Sequence, residues 1–386
     1  MTPRLGIVGS GQLALYLTEA AQSLGAEVAI LTQPGDAPAL EVADKSFVGP
    51  EDSAALVDQF LSSCDVVTFD KEDIPEPILT QILESEQQGH CLVRPGVATL
   101  RLLKDKALQK QWLVENDLPT LPFVVMAGGA ASADVLAGKF GDGIVQKSRS
   151  GGYDGRGVQI LVPFNTPEEL WDTPSIVEPY LPDTVEIAVI VVRTPGGAME
   201  VFPPVSMEFD ATLNSVHTVA IPASIPATLC SDAEALARTV VEKLGGIGVF
   251  AIEMFVTNAG ELLINEVSPR VHNSGHITLD ACNVSQFEQH VRAVLEMPLL
   301  PINLNTAGVM LNILEPEESF VSYPATHAVK ALPDLNARTY WYGKTPGRPG
   351  RKMGHINAVG PTVGDALGHA RAALVKLGKE GIGEAA

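Results

Sequence analysis

The N-terminal part of the chain alternates apolar runs of strand length with amphipathic stretches of helix length. The strand-like runs cover residues 4–8, 28–31 and 66–69, and the helix-like stretches cover residues 12–24 and 53–62. Because parallel strands are joined by helices, this alternation predicts an α/β domain with a doubly wound sheet. We expect this domain to end near residue 102.

After residue 102 the pattern changes to one helix followed by glycine-rich strands. Residues 103–116 predict a helix that ends before Pro119, and strand-like segments continue to residue 160. We interpret residues 103–180 as a linker helix and a small second domain.

The remainder of the chain, residues 181–386, is dominated by strand patterns. The predicted elements are strands over 186–193 and 199–203, a helix over 232–244, a hairpin of 249–256 and 261–267, and a helix over 285–295. Beyond residue 295 we expect only short strands and loops. A large α+β domain therefore completes the predicted architecture.

Composition narrows the class of protein. The chain has 386 residues, 46% of them apolar, which is enough for two or three folded domains. Lys and Arg number 26 against 46 Asp and Glu, so the formal charge is −20. Such a chain repels nucleic acid, and we expect no nucleic-acid partner; a small anionic ligand needs local Lys and Arg.

Cysteine usage and hydropathy indicate a cytoplasmic protein. Cys64, Cys91, Cys230 and Cys282 lie far apart without a CxxC pair, as is usual in a reducing compartment. The longest apolar stretches, such as residues 187–192, fall far short of the ~20 residues of a membrane helix. We therefore expect no membrane partner.

Two glycine-rich loops are candidates for binding phosphate. Gly6, Gly9 and Gly11 form only part of a dinucleotide fingerprint, so a tight turn and a phosphate site are equally compatible with them. Residues 151–157, GGYDGRG, follow Lys147 and Arg149 and include a further arginine. This composition favours a flap that covers an anion, with a flexible surface loop as the alternative.

The hairpin and the turn after it carry charged groups in an apolar setting. Glu253 and Glu266 lie on its two strands, and buried carboxylates need a neutralising cation. Taken singly, each would be an edge or salt-bridged residue; taken together they suggest a magnesium-nucleotide site. Arg270 and Asn273 follow and could stabilise a phosphoryl group in transfer. His272 and His276 could alternatively ligate zinc, although no third ligand is evident.

Six segments, in order along nearly the whole chain, carry a family resemblance. They are residues 9–13 (GSGQL), 151–157 (GGYDGRG), 265–270 (NEVSPR), 272–276 (HNSGH), 285–290 (SQFEQH) and 350–355 (GRKMGH). Together they resemble the ATP-grasp enzymes, and within them the N5-carboxyaminoimidazole ribonucleotide synthetase family.

The resemblance implies an ATP-grasp fold with three domains. These would be a doubly wound, Rossmann-like domain over 1–102, a linker helix and lid domain over 103–180, and over 181–386 a large catalytic domain with a C-terminal substrate-binding portion. It also implies a cytoplasmic homodimer that uses ATP, Mg²⁺ and bicarbonate. Carboxyphosphate would form first and would then carboxylate 5-aminoimidazole ribonucleotide in purine biosynthesis.

Roles for individual residues follow from the same resemblance. ATP would be held by Lys106, Lys147, Gly152, the hinge that begins at Glu178, and Glu186, and magnesium by Glu253 and Glu266. Catalysis at carboxyphosphate would involve Arg270, His272, Asn273, Tyr153, Asp154 and Arg156. The aminoimidazole substrate would be bound by Glu72, Lys344 and Arg351.

The chain departs from the family pattern at four positions. Ser10 stands in place of a third glycine, and Lys106 replaces an arginine, which leaves a single-point phosphate contact. Lys71 takes a normally apolar place, and Phe209 replaces an asparagine. These changes concern mainly the rim of the substrate site.

Three other functions compete with this reading. A second ATP-grasp ligase, using formate or an amino acid, would keep the acyl phosphate but change the acceptor. A non-catalytic nucleotide-binding protein would not need to retain Glu253, Glu266, Lys147 and Arg270. An NAD-dependent dehydrogenase would need an acidic residue where Thr32-Gln33 ends the second strand.

Overall fold

Three β-sheets organise the chain. The computed structural model describes residues 2–35, 37–50, 53–128, 133–141, 143–152, 157–164, 169–210, 215–315, 326–345 and 349–380. Among the helices in these ranges, none combines the length and the apolar character needed to cross a membrane.

The N-terminal sheet is parallel, as predicted. Its strands are β1 (Arg4–Val8), β2 (Glu27–Thr32), β3 (Lys45–Val48), β4 (Val66–Phe69) and β5 (Leu92–Val93), and its helices are α1 (Gln12–Ser23), α2 (Ala54–Ser62) and α3 (Glu76–Gln87). The strand order is β3-β2-β1-β4-β5. The order reverses between β1 and β4, so the loops that follow these two strands open a crevice at the carboxyl edge of the sheet.

The linker differs from the single helix predicted over 103–116. It consists of α4 (Val97–Lys104) and α5 (Lys106–Glu115), separated at Asp105. Asp105 is extended (φ −101°, ψ 109°), and its side chain accepts hydrogen bonds from the backbone N–H groups of Ala107 and Leu108. It is therefore the N-cap of a new helix, and the apolar periodicity that continues across it concealed the break.

The small domain contains a four-stranded antiparallel sheet. Its elements are β6 (Val124–Met126), α6 (Ala133–Phe140), β7 (Ile144–Ser148), β8 (Val158–Leu161) and β9 (Ser175–Pro179). The order is β6-β9-β7-β8, so β7, which carries Lys147, is an inner strand.

The third sheet has ten strands and forms the body of the molecule. The strands are β10 (Val185–Arg193), β11 (Met199–Val201), β12 (Val205–Asp210), β13 (Ser215–Ile221), β14 (Gly248–Val256), β15 (Leu262–Ser268), β16 (Ala307–Leu314), β17 (His327–Leu332), β18 (Ala337–Tyr342) and β19 (Lys352–Gly360). The helices are α7 (Ala227–Leu244), α8 (Thr278–Ala281), α9 (Gln286–Val294) and α10 (Val363–Glu380). The hairpin predicted around residues 257–260 is confirmed as β14 and β15.

The expectation that only short strands and loops follow residue 295 is wrong, because α10 has 18 residues. Its buried positions are Ala366, Ala370, Ala373 and Leu377, which recur at helical spacing and pack on the ten-stranded sheet. Small alanines make a weak apolar stripe, and this is why the helix was overlooked in the sequence.

One apolar core joins the N-terminal sheet to the large sheet. Leu5, Leu15, Ile190, Val249 and Phe287 all belong to it and are almost completely buried. Burial of each such side chain contributes roughly 1.5–3 kcal/mol. The crevice at β1 and β4 is thereby held against the hairpin of β14 and β15.

Candidate active site

A cavity of about 970 Å³ opens where the three sheets meet. The N-terminal sheet contributes the loops after β1 and β4, the small domain contributes Lys147 and Gly152, and the large sheet contributes Glu186, Glu253 and Glu266. The structure thus brings together residues that are far apart in the sequence.

The loop after β1 is shaped by a carboxylate. Gly9 has a φ of +115°, and a Cβ there would lie 1.6 Å from the Asp70 Oδ1 atom. The backbone N–H of Gly11 donates to Asp70 Oδ2 at 2.8 Å, and burial raises the pKa of this carboxyl group. Of the two interpretations of this loop, a tight turn explains Gly9, because only glycine permits the close approach of Asp70.

Three carboxylates share one face of the large sheet. Glu253 is paired with Glu266 across β14 and β15, and with Ala188 on β10, two residues from Glu186. Burial and the charge of Glu253 raise the pKa of Glu186 to about 7. This concentration of negative charge is suited to a cation, and carboxylate oxygens are the ligands that Mg²⁺ takes from proteins.

Lys106 reaches the same carboxylates from the first position of α5. Its Nζ lies 2.5 Å from Glu266 Oε2. Burial alone would raise the pKa of Glu266, but the charge and hydrogen bond of Lys106, together with the charge of Lys147, outweigh burial and lower it. The break at Asp105 aims Lys106 into the cavity, and Arg149 secures that break with an ion pair of 2.5 Å to Asp105.

A buried triad of charges joins the small domain to the linker helix α5. The two oxygens of Glu178 lie 2.6 Å from the Nζ atoms of Lys110 and Lys147. Burial opposes ionisation of Glu178, but the Lys147 and Lys110 charges prevail and lower its pKa to about 2. Lys147 also donates to Asn265 Oδ1 at 2.7 Å, so the triad continues into β15.

The turn after β15 holds three of the predicted catalytic residues in defined contacts. Arg270 Nε donates to Glu72 Oε2 at 2.8 Å, which joins the large sheet to the loop after β4. His272 Nε2 lies 3.1 Å from Glu253 Oε1. Asn273 exchanges two side-chain hydrogen bonds, of 2.9 and 3.1 Å, with Asn312 on β16.

The zinc alternative is not supported by the placement of the two histidines. His276 is completely buried, and its ring stacks on His355 with centroids 4.6 Å apart. His272 instead faces Glu253. Within the described ranges, no group of three His, Cys, Asp or Glu side chains could hold a metal by itself. Magnesium does not require one, because it is commonly bound by one or two carboxylates and substrate phosphates.

A C-terminal basic segment, which includes Lys344, Arg351 and Lys352, lies beside the cavity. Lys344 Nζ donates to Gln12 Oε1 at 2.7 Å, and Arg351 Nη1 donates to the Thr345 carbonyl at 2.6 Å. Of the basic residues described in this segment, Lys352 lines the cavity, whereas Lys344 and Arg351 lie outside its lining.

One predicted residue of the flap contributes to the cavity wall. Gly152 lines the cavity, and Tyr153, Asp154 and Arg156 lie outside the described residues. All four departures, Ser10, Lys71, Lys106 and Phe209, line the cavity.

Sequence reasoning missed three residues of this site. Lys110 lies on the buried face of α5 with Ala107 and Leu113, so a lysine within an apolar stripe was the available signal. Asn312 interrupts the apolar run of β16 in the same way. Lys352 lies in the segment 350–355 but was given no role, because its orientation depends on the pairing of β19.

Three domain families match this chain. They are the ribonucleotide synthetase preATP-grasp domain at residues 1–102, the ATP-grasp domain at 111–287 and the phosphoribosylaminoimidazole carboxylase C-terminal domain at 308–368.

Curated relatives match most of the chain. The N5-carboxyaminoimidazole ribonucleotide synthase of Synechococcus elongatus is 38% identical over 359 residues, which cover 91% of this chain and 88% of that protein. The phosphoribosylaminoimidazole carboxylase of Ogataea methanolica is 37% identical over 94% of this chain and 67% of its own length.

Solved structures match the whole architecture. The Thermotoga maritima N5-carboxyaminoimidazole ribonucleotide synthetase has a TM-score of 0.83 at 33% identity and covers 97% of this chain and 98% of its own. An Aspergillus clavatus N5-carboxyaminoimidazole synthase in complex with ADP and 5-aminoimidazole ribonucleotide has a TM-score of 0.82 at 25% identity, with 98% and 99% covered.

Proposed function

This chain belongs to the N5-carboxyaminoimidazole ribonucleotide synthase family of ATP-grasp enzymes, and we propose which residues of its cavity bind each substrate and carry out each step. The fold is the ATP-grasp fold expected from the sequence. The protein is an ATP-dependent ligase of purine biosynthesis that converts 5-aminoimidazole ribonucleotide into its N5-carboxy derivative. We retain the division into domains at 1–102, 103–180 and 181–386 as part of the proposal.

The observation that carries the assignment of roles is the pairing of opposite charges around one cavity. Lys106 pairs with Glu266 and Lys147 pairs with Glu178, at the end lined by the Glu178–Leu181 hinge. We assign ATP to this end, with its phosphates on the two lysines and its adenine on the hinge backbone. Glu186, whose carboxyl group is near enough to Lys147 for their charges to interact, would bind the ribose hydroxyls.

Glu253 and Glu266 would hold Mg²⁺ between themselves and the phosphates. When bound, the ion offsets negative charge on the transferred phosphoryl group. Lys106, which neutralises Glu266 in this structure, would then bind phosphate oxygens instead. Glu266 would therefore serve as a metal ligand, and Lys106, its ion-pair partner, as a phosphate ligand.

The chemistry has two balanced steps. A bicarbonate oxygen attacks the γ-phosphorus, the bond to the bridging β–γ oxygen breaks, and carboxyphosphate and ADP form. The exocyclic amine then attacks the carboxyl carbon, the bond to the phosphate oxygen breaks, and the amine loses a proton as phosphate leaves. Arg270 and Asn273 would stabilise charge on the phosphoryl group, and His272, beside Glu253, is placed to hold a proton.

Lys344 and Arg351 would bind the ribose phosphate of the acceptor, and Glu72 would contact the acceptor beside Arg270. The flap over residues 151–157, with Gly152, Tyr153, Asp154 and Arg156, would cover carboxyphosphate and exclude water, because an exposed acyl phosphate hydrolyses. Membership of the family also supports a cytoplasmic homodimer as part of the proposal.

The test is ADP release by the purified protein with ATP, Mg²⁺ and bicarbonate, with and without 5-aminoimidazole ribonucleotide. We expect stoichiometric ADP, phosphate and carboxylated product only when all four are present. Formate in place of bicarbonate is the matched control, because it supports the alternative ligase. Equal ADP release without the aminoimidazole, or product only with formate, would overturn the proposal.

A further inference from the structure

We propose that Lys110 is a positioning residue for ATP, which neutralises Glu178 so that the charge of Lys147 is available to the phosphates. This rests on the proposed function, since it deepens the assignment of the ATP end. Lys110 lies on α5 behind the cavity and does not line it.

The contacts of Lys110 are all internal. Its Nζ lies 2.6 Å from Glu178 Oε1, 2.8 Å from Thr120 Oγ1 and 3.2 Å from the Ile264 carbonyl, and its side chain is 2% exposed. An ammonium group satisfied in this way cannot itself leave for a ligand. Its influence on the reaction must therefore pass through Glu178.

Glu178 divides its two oxygens between the two lysines. Lys147 takes the other oxygen at 2.6 Å and, unlike Lys110, lines the cavity. The triad therefore carries one net positive charge, from two ammonium groups and one carboxylate. Without Lys110, Glu178 and Lys147 would form a neutral pair, and the attraction for a polyphosphate would fall.

The structure explains why this net charge is directed to the cavity. Glu178 and Lys110 are both almost completely buried, and Lys147, which lines the cavity, donates to Asn265 next to Glu266. Burial keeps water from screening the triad, so its charge acts at longer range than a surface pair would. Lys147 is therefore the group through which the net charge of the triad attracts a bound ligand.

The decisive comparison is between Lys110→Met and the double variant Lys110→Met/Glu178→Gln. The single variant leaves a neutral pair, and we expect the Kd for ATP to rise about tenfold or more. The double variant restores one net positive charge on Lys147, so we expect its Kd to return to within about threefold of the parent. A purely structural role for Lys110 predicts no such rescue, because the double variant removes more contacts.

ATP affinity is measured by direct titration without acceptor or bicarbonate, which separates this inference from the proposed function. Lys110→Arg keeps the charge and should retain the parental Kd, and Lys243→Met, on the exposed surface of α7, is the matched control. KM for ATP should rise in Lys110→Met while KM for the acceptor stays within twofold.

An unchanged ATP affinity in Lys110→Met, or a double variant that binds no better than the single one, would overturn the inference. If Lys110→Met does not fold, the double variant decides alone, because it also removes the buried carboxylate that has lost one of its two partners, and the charge that remains, on Lys147, lines the cavity. A double variant whose Kd for ATP is tenfold higher than the parent's would then contradict the proposal.

Discussion

The two ends of the cavity differ in how their charged side chains are held. At the ATP end, Lys106, Lys147 and Glu178 lie on regular elements, are mostly buried and pair with each other or with Glu266 and Lys110. At the acceptor end, Arg270 and Lys344 lie in connecting segments and contact Glu72 in the loop after β4 and Gln12 at the start of α1.

This difference has a physical consequence for each end. Buried pairs on strands and helices are fixed by the fold, so the ATP end is preorganised and sensitive to the loss of any one charge. Side chains in connecting segments depend on how separate domains pack. We therefore expect substitutions at the ATP end to affect turnover, and substitutions at the acceptor end to affect one substrate selectively.

The largest effect should come from Glu266→Gln. A neutral amide cannot offset the charge of a metal ion and of Lys106, so several kcal/mol of transition-state stabilisation is lost. At ~1.4 kcal/mol per tenfold, turnover should fall at least about 100-fold. ADP production is measured on protein shown to be folded by its melting transition. Glu261→Gln, in the exposed hairpin turn, is the control, and near-parental turnover of Glu266→Gln would remove the metal assignment.

Arg351→Ala tests the acceptor end of the cavity. A charge-assisted contact to phosphate contributes ~1.5–3 kcal/mol, so kcat/KM for the aminoimidazole substrate should fall about 10- to 150-fold. KM for ATP should barely move. Steady-state kinetics with each substrate varied separately makes the measurement, and Arg371→Ala on the exposed side of α10 is the matched control. Equal impairment for both substrates, or for neither, would show that the phosphate pocket lies elsewhere, with Lys352 the next residue to test.

Gly152→Val tests the proposed role of the flap. A branched side chain should stiffen the loop and hinder its approach to carboxyphosphate, which would then hydrolyse. We expect a several-fold fall in the ratio of carboxylated product to ADP, with ATP cleavage less affected. An unchanged ratio and rate would exclude the role of the flap in protecting the intermediate.

Local sequence patterns also explain which features could be predicted before the structure was known. The parallel sheet, the hairpin and the carboxylates Glu253 and Glu266 were predictable, because they follow from local apolar patterns interrupted by charge. The break at Asp105 and the alanine stripe of α10 were not predicted, since each offers only a weak local signal.

The contacts between the site residues could not be predicted from the sequence. That Glu178 bridges Lys110 and Lys147, or that Asn312 fixes Asn273, depends on contacts between segments 31 to 68 positions apart. No spacing rule links such positions. The family resemblance supplied candidate roles, but only the fold shows which of the candidates share a contact.

The smallest effect concerns the interface that holds the two ends in place. His290 accepts a hydrogen bond from the Val249 backbone N–H at its Nδ1, and its Nε2 lies 2.8 Å from Thr68 Oγ1. The accepting Nδ1 carries no proton, so His290 is neutral and its Nε2–H donates to Thr68. It thereby joins β4, which precedes Glu72, to β14, which carries Glu253.

Burial lowers the pKa of His290 to about 3, below the ~6.5 of an unfolded chain. The stabilisation by neutral His290 is therefore complete above pH 6.5 and is lost as the pH falls towards 3, at about 1.4 kcal/mol per pH unit.

In His290→Gln, the free energy of unfolding should be lower at pH 8, yet it should fall less steeply than the parent's between pH 6.5 and 5. His217→Gln, on an exposed position of β13, should leave the parental slope intact. Denaturant unfolding at each pH makes the comparison, and parallel curves for His290→Gln and the parent would show that this histidine does not govern the acid sensitivity of the interface. The buried pairs at the ATP end should persist at lower pH, because Glu178 with a pKa of about 2 stays ionised where His290 already opposes folding.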